Sequence, residues 1–285
     1  MKVNTDGVLL GAAVSISSED TTFLDIGTGT GLIALMLAQR KAFLAIKENQ
    51  ERDYEKSSIV PFIVEAVEID SVSAEEARQN FEASPWAENL KVHPYSLNDF
   101  KNFLSDPVPK EYKLDPLGRE SEIIELKQGK YDLIVSNPPY FENSVLTDSA
   151  RRTAARHTTE LSYRELIEFA AKHLAEKGRL AMILPAEQEK DVLRYGRMNS
   201  LHLQSTLRIR TVERKQPTRI IIELARQRTY TSPQNNTEPS NPKQEPSRQD
   251  SPIQDLPKDS ILTIQKEGQY SAEYLSLTKD FYLFA

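Results

Sequence analysis

Two short runs in this 285-residue sequence hold residues whose types and spacing can do chemistry. The first, Asp25-Ile26-Gly27-Thr28-Gly29-Thr30-Gly31, is an acid followed by three alternating glycines, which let backbone approach a ligand closely. The second is Asn137-Pro138-Pro139-Tyr140. An exocyclic amine on a heteroaromatic ring is a poor nucleophile because its lone pair is delocalised into the ring. Acceptors for its two N–H bonds let the nitrogen pyramidalise toward an electrophile. The Asn137 side-chain oxygen and the Pro138 carbonyl supply such acceptors, and Pro139 helps to fix the turn. Tyr140 offers a face on which an extruded base can stack, with Phe141 as a second wall. No strong general base is needed, since the amine becomes acidic only once it is alkylated.

These runs must be held by elements. Phe23–Ile26 reads as a short apolar strand, the glycines as its end, and Leu32–Gln39 as the following helix. Strands are expected at 63–69, 90–92, 131–135, 179–184, 201–210 and 219–224, with helices at 73–81 and 162–175, the latter capped by Gly178. This alternation predicts an α/β fold with an open, mostly parallel central sheet flanked by helices. Asn137 then stands at the C-terminal edge of a strand, where such sheets bind ligands.

The glycine run admits two ligands. A dinucleotide fingerprint wants a third glycine where Leu32 stands, and Asp25 would repel a pyrophosphate. S-adenosylmethionine has no phosphate and carries an ammonium and a sulfonium, so a carboxylate there is favourable. Glu68, at the end of Ala66-Val67-Glu68-Ile69-Asp70, can accept both ribose hydroxyls, and Ile69 can lie against the adenine. After the third strand Ser96, Asn98 and Asp99 are candidates for the cofactor's adenine amine. Asp99 is preferred, with helix capping as its alternative role.

Composition narrows the rest. With no cysteine and four scattered histidines, neither a disulfide nor a metal mechanism is expected. A signal peptide and a membrane span are not expected either, and the expected compartment is the cytoplasm. The net charge of −6 means that contact with a nucleic acid needs local basic patches. Two are visible: Arg151, Arg152, Arg156 and His157, and then Arg208, Arg210, Arg214, Lys215 and Arg219. Lys47–Lys56 reads as a solvated extension and Ser105–Lys130 as a long loop. The organisation expected is a catalytic domain over 1–228, a disordered stretch over 229–259 with six of the sixteen prolines, and a returning segment over 260–285.

The order of motifs resembles a known family. Thr5-Asp6-Gly7-Val8-Leu9-Leu10-Gly11, the glycine run, Ala66–Asp70, Ile134-Val135-Ser136-Asn137-Pro138-Pro139-Tyr140-Phe141 and the ending Tyr270–Tyr282 are similar to the bacterial transfer RNA (adenine-N6)-methyltransferases. These modify adenine(37) of a valine tRNA. The resemblance implies a Rossmann-like class I methyltransferase fold, S-adenosylmethionine as cofactor, tRNA as partner and a monomer as a compatible state. It gives cofactor roles to Asp25, Gly27, Gly29, Gly31 and Glu68, and the adenine amine to Asn137–Tyr140. Thr5 and Asp6 would lie over the methionine end of the cofactor. The family usually has a short segment ahead of the position of Met1. Two alternatives stay open: a glutamine N5-methyltransferase of peptide release factors, which shares the NPPY run but carries an N-terminal helical domain, and an inactive RNA-binding module of the same fold.

Overall fold

A computed structural model describes residues 5–51, with side chains to 47, and residues 61–105, 130–139, 161–226 and 259–282. The basic run at Arg151–His157, Tyr140 and the 229–258 stretch lie outside them, as does most of the 105–130 loop.

The elements run α1 (Thr5–Ala13), β1 (Thr22–Ile26), α2 (Leu32–Glu51), β2 (Ile63–Val67), α3 (Ser71–Glu82), β3 (Leu90–His93), α4 (Leu97–Ser105), β4 (Tyr131–Ser136), α5 (Tyr163–His173), β5 (Leu174–Pro185), α6 (Glu189–Met198), β6 (His202–Val212), β7 (Arg219–Ala225), β8 (Asp259–Lys266), β9 (Gln269–Tyr270) and α7 (Ala272–Thr278). They form one sheet in the order β3-β2-β1-β4-β5-β7-β6-β8-β9. Strands β3 to β5 are parallel, and β7 runs against both β5 and β6. The central strands are buried on both faces, so they read as apolar runs rather than as alternations. One face packs Phe23, Leu37, Val64 and Leu133 and the other Leu24, Ile134, Phe169 and Leu180. The C-terminal segment adds β8 beside β6 in parallel, and Tyr274 of α7 joins the first core.

Helix α1 was not expected from the sequence, and its composition explains why. Gly7 to Ala12 are all buried, so the helix carries no polar face to reveal a period. It is fixed at its C-terminal end. Arg40 donates to the Gly11 carbonyl at 2.8 Å, and Arg179 donates to the Ser15 carbonyl and to Ser15 Oγ. Glu223 accepts from Ser15 N at 2.6 Å and from Ser15 Oγ at 2.7 Å, while Asp20 pairs with Arg179 at 2.7 Å. Cations on the last carbonyls of a helix also complement its dipole.

Other boundaries move. Helix α2 continues to Glu51, taking in the start of the charged run at Lys47, and α6 was not foreseen. Gly178 does not cap a helix: α5 ends at His173, and Gly178 is buried within β5. There the pairing jumps from Tyr131↔Leu174 to Leu133↔Arg179, so residues of β5 bulge out against one residue of β4. A Cβ on Gly178 would meet the Tyr131 carbonyl oxygen at 2.5 Å and Ala175 N at 2.8 Å. The bulge therefore requires glycine for close backbone approach. Replacing Gly178 by alanine should cost about 1–3 kcal/mol, as overpacking against backbone does. A melting temperature equal to wild type would show that the bulge can relax.

Candidate functional site

The site is built by register. Ile26 pairs with Val67, and Asp25 with Val135, so β2, β1 and β4 end level with one another. The next residues, Glu68, Gly27 and Asn137, leave neighbouring strands roughly 4.8 Å apart at one edge. Short bonds fix this alignment. Gly27 N and Thr28 N donate to the Val67 carbonyl at 2.8 and 3.1 Å, and Ser136 Oγ donates to the Ile26 carbonyl at 2.7 Å. Ser136 was not singled out from sequence. Its signal was a lone hydroxyl closing a buried apolar strand.

Gly27, Gly29 and Gly31 have φ of 73°, 58° and 87°, a region costly to other residues. Gly29 has open space where a Cβ would stand. Gly31 does not, because Phe81 of α3 would lie 2.4 Å from it. One glycine thus leaves room for a ligand, and the other lets α3 close on the loop. The Leu161 side chain lies 3.3 Å from the position of a Cβ on Gly27, a contact outside both motifs.

Asp25 is fully buried. Its Oδ2 accepts from Thr28 Oγ1 at 2.6 Å and from Ala34 N at 3.2 Å, so it caps the start of α2. Its Oδ1 has no hydrogen-bond partner among the described residues. Burial pushes its pKa up to about 7, against the opposing pull of Thr28 and Ala34, and the charge of Glu68 adds to the rise. An orphaned oxygen on a buried carboxylate is satisfied by a cation or by a proton. The donor set therefore fits the ammonium-bearing cofactor expected from the sequence.

Glu68 is half-buried and ties the loop to β2. Its Oε2 accepts from Gly29 N at 2.8 Å and its Oε1 from Asp70 N at 2.9 Å, leaving further lone pairs for hydroxyl donors. Ile69 is 49% exposed beside it. Asp99 lies at the start of α4, exposed, where its Oδ2 accepts from Ser96 Oγ at 2.5 Å while Ser96 Oγ accepts from Asp99 N at 3.1 Å. Its bonds are those of a helix N-terminus. Asn137 is half-buried, Pro138 buried and Pro139 exposed. Gly7 of α1 faces this amide, since a Cβ there would stand 4.0 Å from Asn137 Nδ2 and 3.5 Å from Leu32. Asp6 pairs with Arg219 at 2.9 Å. The opening segment is thus brought to the edge that carries Asn137.

A second buried acid, Glu65, belongs to the core. It meets His93 Nε2 at 2.8 Å and accepts from the Tyr131 hydroxyl at 2.7 Å, with both oxygens satisfied. Among the described residues no acid or histidine cluster suits a metal, and no helix is long and apolar enough to cross a membrane.

Comparison with known proteins adds independent findings. Residues 33–198 match a family described as Eco57I restriction-modification methylase. A tRNA1(Val) (adenine(37)-N6)-methyltransferase of Trichodesmium erythraeum is 35% identical over 99% of this chain and 91% of its own length. Proteins of the same name from Parabacteroides distasonis and Pectobacterium carotovorum are 34% and 31% identical, over 99% and 100% of this chain and 91% and 88% of theirs. Among solved structures, one titled a predicted O-methyltransferase from Agrobacterium tumefaciens superposes with a TM-score of 0.50 over 95% of each chain, at 13% identity. That likeness concerns the fold alone.

The raised pKa of Asp25 has a definite sign. Between the unfolded value near 3.8 and the folded value near 7, the native state holds more protons, so stability declines as pH rises through that window. Asp25→Asn removes this penalty. Without ligand, the variant should melt above wild type at pH 8, and the gap should narrow progressively as pH falls through that window. A gap independent of pH would mean that Asp25 is not the group responsible.

Proposed function

The chain belongs to the tRNA1(Val) (adenine(37)-N6)-methyltransferase family, and from that membership we infer how its residues divide the work. It is an enzyme that transfers a methyl group from S-adenosylmethionine to the N6 amino group of an adenine in tRNA. Adenine(37) of a valine tRNA is the position proposed here, on the strength of the relatives' name. A site in the cytoplasm is proposed on the same ground.

In this reading Asp25 receives the cofactor's ammonium, Glu68 accepts its ribose hydroxyls, and Ile69 lies against its adenine. Gly27, Gly29 and Gly31 give the loop its shape, and Asp99 offers its Oδ1 to the adenine amine while Oδ2 serves the cap of α4. When bound, S-adenosylmethionine supplies an electrophilic methyl group on a sulfonium. Asn137 Oδ1 and the Pro138 carbonyl accept the two N–H bonds of the target amine. That lifts the nitrogen's lone pair out of the ring, and Pro139 holds the turn rigid. Tyr140 provides the stacking face. The surplus proton leaves to solvent after transfer, so the site needs no strong base. Much of the acceleration comes from holding nitrogen, carbon and sulfur in line.

The observation that carries this reading is the level ending of β2, β1 and β4, which sets Asn137 beside the glycine loop. It is tested with labelled cofactor, an unmodified tRNA1(Val) transcript and analysis of the product nucleoside. Asn137→Ala should lower kcat by about 10²-fold or more, the scale of a lost electrostatic contact to the reacting group, with cofactor affinity within about twofold of wild type by calorimetry. Near-normal turnover would reduce the run to a turn. Methylation of a release-factor glutamine peptide, with no N6-methyladenosine on tRNA, would overturn the substrate assignment and leave the fold intact.

A further inference from the structure

The catalytic edge is unevenly charged. Glu68, Asp70 and Asp99 stand on the β2–β3 side, where the cofactor is assigned. Beyond β4 the sheet continues through β5, β7, β6 and β8, and this half carries the second basic group read from the sequence.

Most of those cations are engaged. Arg208 pairs with Glu189 and Asp259, and Arg219 with Asp6. Arg210 donates to Thr263 Oγ1 at 2.8 Å and to the Glu213 carbonyl at 2.9 Å, and Lys266 pairs with Glu273 at 2.8 Å. Arg214 and Lys215 differ: they are exposed and form no ion pair among the described residues. Lys190 shares both properties. It stands in the first turn of α6, against the positive end of that helix's dipole, so its own helix gains nothing from it.

Register places all three beside the site. Arg219, opposite Pro185 at the end of β5, also faces Ile209, and β6 and β8 run on past that level to Val212↔Gln265. The β6–β7 hairpin therefore rises about 10 Å above the edge, and β7 and β6 stand two and three places, or roughly 10 and 14 Å, from β4. Lys190 follows the end of β5 by way of the turn at Ala186–Gln188. Three exposed acids border this ground: Glu187, Glu267, and Glu213 at the hairpin end, whose carboxylate lies 3.9 Å from Lys266 Nζ.

We propose that Lys190, Arg214 and Lys215 form a phosphate-binding ledge that seats the RNA strand flanking the target adenine. The proposal rests on the reading of the edge as a tRNA adenine methyltransferase site. It gives a protein of net charge −6 a local group of cations, unpaired among the described residues, with which to engage a polyanion.

The test is the triple variant Lys190→Ala, Arg214→Ala, Lys215→Ala, assayed on the unmodified tRNA1(Val) transcript over a salt series. The KM for RNA should rise at least about tenfold, and the slope of its logarithm against the logarithm of salt should fall by about two, as expected for three phosphates on a single strand. The kcat at saturating RNA and the calorimetric affinity for S-adenosylmethionine should stay at wild-type values. Arg214→Lys with Lys215→Arg, which keeps the charge, should keep the wild-type slope. If wild type methylates the transcript and the triple variant shows the same KM and slope, the ledge is wrong and the activity stands. If wild type forms no N6-methyladenosine, the functional reading falls and takes the ledge with it.

Discussion

Three neighbouring parallel strands, β2, β1 and β4, stop at one level, and the edge that sets Asn137 beside the glycine loop exists because of that register. Parallel pairing alone fixes spacing across the strands but not where each one ends. The ends are set by local bonds: the Gly27 and Thr28 amides on the Val67 carbonyl, Glu68 on Gly29, and the Ser136 hydroxyl on the Ile26 carbonyl. A slip of one residue would turn every side chain of a strand to the opposite face. Here it would place Asn137 out of line with the loop beside it.

Asp25 shows what that arrangement costs. Its carboxylate caps α2 through one oxygen and leaves the other buried without a hydrogen-bond partner among the described residues, so burial works against its charge. A site that binds a cation gains from such tension, because the ligand relieves a penalty that folding has already incurred. Helix α1 illustrates the complementary device. It is held at one end by Arg40, Arg179 and Glu223, while its other end comes to rest beside Asn137.

Charge is distributed with the same division. Ion pairs hold Arg208, Arg219 and Lys266 of the β6–β8 half, and hydrogen bonds hold Arg210; exposed ion pairs contribute little to stability. Lys190, Arg214 and Lys215 combine exposure and the absence of an ion-pair partner among the described residues with a place beyond the ends of β5 and β6. Composition cannot reveal this, since a count of arginines does not say which of them are neutralised.

The sequence by itself determined the fold class and the positions of its two motifs. A strand followed by alternating glycines, and a strand followed by Asn137-Pro138-Pro139, have few other readings, because glycine and proline restrict the backbone locally. The interior strands were legible for the same reason, being continuous apolar runs. Only the tertiary structure decided the rest. Helix α1 is apolar all round, so no periodicity announces it. Gly178 looks like a helix end, yet its need for glycine comes from the Tyr131 carbonyl, forty-odd positions away in the chain and about one van der Waals contact away in space. Partnerships such as Asp6 with Arg219 join residues more than two hundred positions apart. Local sequence encodes conformational preference, whereas burial, pairing and free charge are properties of neighbours that only folding supplies.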